Sequence, residues 1–346
     1  MPQANVMAWN LEKLNEDRAS TVGVRLIQFI ASVMQLYRID LIGLSGIFAG
    51  RGESLAGILS YELNNREKTD NKWQDQTSPA LGLGWNEQYC FVWNSLKFQP
   101  ATTHLTDRFQ YDYPLPDGLG KFYGFPRLRT AAADLPPYLG YFQLVGTQKF
   151  LPIAVFHAPD WALAEGIAVE LACKSLAEVA AFDQGHGCLL MGTFNVPAND
   201  NVTVNGSNGA KAFATLAGAN GKYTQTMNNQ PNQLASGSAV GLAMENALAQ
   251  TADNIFFRRN GTINGIIYTD ARLVNVFLNT LGAIDETERW TKAPLGAALA
   301  AIEAHVFGQN SVSADPDGSY VLLGDAFLVY RYCVSGYLPV AITINY

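Results

Sequence analysis

"CLLMGTFNVPAND" (residues 188–200) runs from Cys188 through Leu189, Leu190 and Met191 into Gly192 and then stops at Thr193, Phe194 and Asn195. A short continuous apolar run closed by a polar loop reads as a strand buried on both faces. The end of such a strand is where α/β proteins usually place their chemistry. Thr193 and Asn195 offer a hydroxyl and an amide but no charge. What a site would do with so mild a pair has to be read from the rest of the chain.

Working outward, "AEGIAVELACKSLAEVAAFDQ" (164–184) is the clearest amphipathic helix, and "KFLPIAVFHAP" (149–159) before it is a strand ending at His157. Nearer the start, "NVMAWNL" (5–11) is an apolar strand. It is followed by a helix over 20–37, with Val22, Leu26, Phe29, Ile30, Val33 and Leu36 on one face and Ser20 as N-cap. "IDLIGLSGIF" (39–48) is a covered strand, and 53–67 a second helix ending in an Asn pair. "ALGLGW" and "YCFVWNSLKFQPA" are strand-like, the latter alternating Tyr89, Phe91 and Trp93 against smaller residues. Residues 198–250 are rich in Gly, Asn and Ala and read as a surface insertion. Strand character resumes at "NIFFRRNGTINGIIYTDARLVNVF" around an Asn-Gly turn, and a further helix lies near 283–306. The order of elements predicts an α/β sandwich with sheets packed face to face. One domain over 1–346, carrying the insertion, is the expectation.

At 346 residues, with 48% hydrophobic and 15% charged residues, a large core is easily filled, and the composition excludes disorder. The formal net charge of −7 argues against broad attraction to nucleic-acid phosphates or anionic membranes. Cys90, Cys173, Cys188 and Cys333 lie far apart without a CxxC pair. That argues against a zinc site and predicts buried free thiols. His104, His186 and His305 show no metal-ligand spacing and are read as surface or loop residues. No stretch is long enough to span a bilayer. The chain enters a strand at once from "MPQANVMAWN". A cytoplasmic location without signal peptide is therefore expected, although a leader removed beforehand would leave the same sequence.

Taken in order, "MAWNLEKL" (7–14), "IDLIGLSGI" (39–47), "IAVFHAPD" (153–160), "MGTFNVPAND" (191–200) and "SGYLPVAI" (335–342) resemble the motifs of the DNase I-like endonuclease/exonuclease/phosphatase superfamily. "NEQYCFVWNSLKF" and "ADNIFFR" look like two further family strands in the same order, so the resemblance covers the chain from Asn5 to Ile344. It implies a four-layered α/β sandwich, two mixed β-sheets face to face with helices outside, and hydrolysis of phosphoesters with a Mg²⁺-type ion. It also implies that Asn10 helps bind metal or phosphate, that His157 contacts the scissile phosphate with Asp253 as its acidic partner, and that Asn195 orients the phosphate or the water. Glu87 would match an acid that orients the family's terminal His.

The departures from the family pattern are the larger signal. Gly46 stands where the family has a metal-binding Glu, Thr193 where it has the Asp that activates water, Gly336 for the metal-linked Asp and Tyr337 for the catalytic His. Mg²⁺ needs several oxygen ligands in near-octahedral array, and the loss of these carboxylates removes them. A phenol with a pKa near 10 does not replace an imidazole that titrates near neutrality. Glu12, Glu53, Asp160 and Asp200 lie close enough in sequence to be weighed as substitutes. The leading expectation is a catalytically impaired pseudoenzyme without a cofactor, acting through a protein partner or self-assembly. The alternative is an active phosphoesterase or nuclease using His157, Asp253 and Asn195, with Mg²⁺ or Mn²⁺ at a relocated site or with no metal. A cleft that holds a nucleotide, a nucleic acid or another phosphorylated ligand without cleaving it is a third reading. Restoring Glu, Asp, Asp and His at 46, 193, 336 and 337 together is expected to regenerate metal binding.

Overall fold

Alternating and continuous apolar runs dominate the described strands, and both form buried sheet. The structure is a computed structural model. It describes residues 1–14, 16–78, 80, 87–100, 122–124, 138–157, 188–194, 213, 217, 223–227, 233–234, 248–250, 253–258, 265–274, 295, 298–299, 301–302, 305, 330, 333–335 and 337–346. The elements are β1 (Gln3–Leu14), α1 (Glu16–Leu36), β2 (Leu41–Phe48), α2 (Gly52–Glu67), β3 (Trp73–Thr77), β4 (Glu87–Asn94), β5 (Phe98–Pro100) and β6 (Phe122–Gly124). There follow β7 (Tyr138–Leu144), β8 (Phe150–His157), β9 (Cys188–Thr193), β10 (Tyr223–Gln225), β11 (Gln233–Leu234), β12 (Leu248–Gln250), β13 (Asp253–Arg258), β14 (Ile267–Leu273) and β15 (Val340–Asn345).

One sheet has six strands in the order β14-β15-β1-β2-β4-β3, and the other has seven, β10-β13-β9-β8-β7-β5 with β6 also paired to β7. β1 and β2 run parallel, as do β8 and β9, while their other neighbours are antiparallel, so both sheets are mixed. This is the α/β sandwich that the order of elements predicts. The two inner faces share a core of Val6, Leu41, Phe91, Tyr138, Phe142, Val155, Met191 and Ile255, among others. Phe91 of β4 stacks on Tyr138 of β7 at 5.6 Å between centroids, so aromatic rings cross the interface. At Gly43 the facing sheet lies close against the backbone. A Cβ there would lie 2.4 Å from Val155 Cγ2 and 2.7 Å from Met191 Cε, so only glycine fits.

The helices α1 and α2 cover the outer face of the six-stranded sheet, burying Leu26, Phe29, Ile30, Val33, Leu55, Leu59 and Leu63 in a second core. The helix expected from Ser20 starts at Glu16 and is broken at Gly23, whose φ of 48° and ψ of −132° are not helical. Leu36 is 38% exposed, so the expected apolar face ends before the last turn. The segment 89–101 was expected as one strand-like piece. It divides at a turn closed by Lys97 N–H on Asn94 O (2.9 Å), which hands the chain from one sheet to the other. β13 and β14 likewise lie in different sheets, so the run around the Asn-Gly turn is a crossover and not a hairpin. Cys90, Cys188 and Cys333 are buried free thiols. His305 is exposed. The helix read over 164–184, Cys173, His104, His186 and most of the insertion lie outside the described residues. So does much of 283–306, in which the described positions from 295 to 305 are helical. Among the described residues no helix is long and apolar enough to cross a membrane.

Candidate functional site

A strand's side chains alternate faces, so the last inward-facing residue of each strand is fixed by those before it. On β1, Ala4, Val6 and Ala8 face the core between the sheets, and the next step of that face is Asn10. The same alternation carries Ile153 and Val155 to His157, Leu189 and Met191 to Thr193, Ile255 to Asp253, and Phe91 and Tyr89 to Glu87. The ladders put His157 opposite Thr193 and Thr193 opposite Asp253. Asn10 and Glu87 come from the facing sheet. Five strand ends thus place an amide, an imidazole, a hydroxyl and two carboxyls along one edge of the sandwich.

These side chains are joined. Asn10 Nδ2 donates to Thr193 Oγ1 at 2.9 Å and lies 3.3 Å from His157 Nε2. Thr193 Oγ1 in turn donates to Asp253 Oδ1. On the other side, His157 Nδ1 is 2.7 Å and 3.0 Å from the two oxygens of Glu87. The backbone N–H of Gly46 donates to Glu87 Oε1 at 2.7 Å, and that of His157 to Tyr89 Oη at 3.2 Å. The terminal segment is tied in through Ser335, whose Oγ donates to Asn10 O (2.6 Å) and accepts from Tyr337 N–H (2.9 Å). Burial pushes the Asp253 carboxyl up to about 7, against the opposing effects of the Thr193 hydroxyl and of His157.

Gly46 has a φ of 72°, and a Cβ on it would stand 2.3 Å from Asn10 Oδ1 and 2.7 Å from the Glu12 nitrogen. Asn10 is held against that spot because Glu12 N–H donates to its Oδ1 at 2.8 Å. Glu12 itself has a φ of 49° at an irregularity in the β1–β2 register, so it contributes its backbone and does not continue the Asn10 face.

The expected pairings are exchanged. The carboxylate against His157 is Glu87, whereas Asp253, expected there, takes the hydroxyl of Thr193. Glu87, expected to serve the terminal position now held by Tyr337, lies on the His157 side of the row. Glu53 is exposed on the first turn of α2 and is no part of this row. Asn195, Gly336, Asp160 and Asp200 lie outside the described residues. One participant, Ser335, escaped the sequence reading, and a second, Glu87, was read with another partner. Glu87 was legible as a position in the Tyr89/Phe91/Trp93 alternation extended by one step, although its partner was not. Ser335 carries no local signal, because its role depends on Asn10 O, 325 residues away.

No protein-family model matches the chain, and no curated protein matches it in sequence. Solved structures do match in shape. The human Nocturnin catalytic domain with bound sulfate superposes with a TM-score of 0.54 at 10% identity, over 99% of this chain and 93% of that one. An endonuclease/exonuclease/phosphatase from Bacteroides vulgatus gives 0.52 at 10% identity, over 100% and 99%. Danio rerio TDP2 complexed with single-strand DNA product gives 0.50 at 9% identity, over the whole of both chains. At such identities the likeness is one of fold. The chain has the fold seen in these endonuclease/exonuclease/phosphatase-type structures.

Proposed function

We propose that this chain is a catalytically impaired protein on the nuclease/phosphatase fold, a pseudoenzyme that acts through binding a protein partner or through self-assembly. The observation that carries this reading is Gly46. Its left-handed backbone and the 2.3 Å approach of Asn10 Oδ1 to a Cβ there leave no room for an acidic side chain where the family resemblance calls for one. The remaining donors do not fit a Mg²⁺-type ion either. Glu87 already accepts from Gly46 N–H and lies against the His157 imidazole, and Asp253 accepts from Thr193. Among the described residues no group of three or more His, Cys, Asp and Glu side chains converges to hold a metal. A hard ion needs several oxygen ligands free to coordinate it, and this row does not supply them. The steric conflict at Gly46 also replaces the expectation about restoration: the variant with Glu, Asp, Asp and His at 46, 193, 336 and 337 should fail to regain Mg²⁺ binding. Calorimetry of wild type with Mg²⁺ and Mn²⁺ tests the reading directly. No binding is expected, and micromolar affinity overturns it.

One observation favours an active phosphoesterase instead. The Asp253 carboxyl, raised to about 7, stands beside a hydroxyl and near an imidazole, a setting found at general bases. On that reading His157, Asp253 and Asn195 would carry the reaction. Plasmid nicking and nitrophenyl-phosphate turnover by wild type and His157→Ala separate the two. Equal background rates are expected, and a rate lost with His157 would establish the enzyme. That a TDP2 of this fold was solved with single-strand DNA product favours a nucleic-acid ligand over a protein partner. The net charge of −7 weighs the other way.

A further inference from the structure

One assignment of donors and acceptors satisfies the whole strand-end row when His157 is neutral. Glu12 N–H donates to Asn10 Oδ1, which fixes the amide so that its NH₂ faces His157 and Thr193. An amide NH₂ only donates, so His157 Nε2, 3.3 Å away, must present its lone pair. The neutral imidazole then carries its proton on Nδ1 and donates it to Glu87, whose other described contact is another donor, Gly46 N–H. Thr193 Oγ1 accepts from Asn10 and sends its own proton to Asp253. Each donor in the row meets an acceptor within it. The chain of bonds crosses between the sheets three times, because Glu87 and Asn10 belong to the six-stranded sheet and His157 and Thr193 to the seven-stranded one, and its last bond, Thr193 to Asp253, stays within the latter.

We infer that these five side chains form a clasp joining the two sheets at this edge, with His157 neutral and protonated on Nδ1 and Asn10 as its hub. Apolar packing between sheets has no direction, and here it ends at the last inward residues. The clasp supplies the register that packing lacks, because Asn10 meets its acceptors only when β1 stands opposite the ends of β8 and β9. The inference concerns folding and proton placement. It stands apart from the question of catalysis, since the clasp could close in an active or an inactive chain.

Urea unfolding of Asn10→Ala, Thr193→Val and the double variant measures the coupling across the sheets. Asn10→Ala is expected to raise the unfolding constant roughly 30- to 150-fold and Thr193→Val on the order of tenfold, because each strands a buried partner. The double variant is expected to fall roughly tenfold short of the product of the two. Asn10→Ala combined with Asn64→Ala, whose amide holds Trp73 O at the far end of α2, should multiply without shortfall. Nitrogen-15 NMR of wild type is expected to show His157 protonated on Nδ1 and bare on Nε2, unmoved by inorganic phosphate. Additive effects of Asn10 and Thr193 would overturn the clasp. So would a proton on Nε2, or His157 shifts that saturate with phosphate, which would mark the row as an anion site. If Asn10→Ala does not fold, Thr193→Val paired with His157→Gln carries the cycle, and the wild-type spectrum decides the tautomer.

Discussion

The two ends of β1 each place an asparagine beside a buried or half-buried acid, and the two arrangements differ in kind. At the far end, Asn5 N–H donates to Asp40 Oδ2 (3.0 Å), and Asn94 Nδ2 donates to its Oδ1 (3.3 Å). Asn5 Oδ1 accepts from Thr343 Oγ1 at 2.6 Å. All of these groups sit on or beside the six-stranded sheet. Burial raises the Asp40 carboxyl, but the Asn5 N–H, the Asn94 amide and the charges of Lys97 and Lys72 oppose it. At the near end, Asp253 is 2% exposed and lies on the opposite sheet from Asn10. There the amide reaches its acid only through Thr193. Similar residue types therefore finish one sheet at one end and join two sheets at the other. A polar group costs more to strand where water cannot replace its lost partner.

The comparison can be broken or sharpened by substitution, and the largest effect is expected at Gly46. Gly46→Glu must place a side chain at φ 72° and 2.3 Å from Asn10 Oδ1, so a loss of roughly 4 kcal/mol or more in urea unfolding is expected. A variant as stable as wild type would show that the strand ends relax freely.

Next is Asp253→Asn. The folded carboxyl keeps its proton to about 7 and the ordinary value is 3.8, so between those values the folded state binds more protons than the unfolded state. Wild-type stability should therefore fall as pH rises through that window and level off above it. The gap corresponds to on the order of 4 kcal/mol. Asp253→Asn should flatten the profile and be the more stable chain at pH 8, with the advantage gone near pH 4. Asp40→Asn should show the same sign with a smaller slope, because its carboxylate has compensating donors. Equal slopes would erase the contrast between the two ends.

Asn10→Ala leaves Thr193, His157 and Glu12 N–H without their amide, and about 2–3 kcal/mol should be lost. Asn5→Ala should cost only about 1 kcal/mol, because Arg38 O lies where water can reach and the Asn5 N–H keeps Asp40. Paired denaturation curves check both. The smallest effect is Arg38→Gly, a gain below about 1 kcal/mol, since Arg38 already sits at φ 53° with a side chain that prefers otherwise.

Much of the fold was legible because inward-facing residues recur at period two and because apolar runs end at polar loops. Asn10, His157 and Thr193 were each found at such an end. The pairing of His157 was misread, since "NEQY" and "FHAPD" meet only when β4 and β8 face each other from different sheets, 70 residues apart in sequence. The division of 89–101 between sheets was missed for a similar reason. A tight turn at Ser95–Lys97 looks the same in sequence whether it closes a hairpin or crosses between layers.

The sequence by itself determined the layered α/β class, the inward face of each strand and the uncharged character of Gly46 and Thr193 at two strand ends, because alternation and residue identity are local properties. Only the tertiary structure decided which acid meets His157, that Asn10 bridges two sheets, and that Gly46 has no space for a side chain. Those outcomes depend on how close two sheets approach at one edge, a distance set by all the side chains between them and written in no single segment.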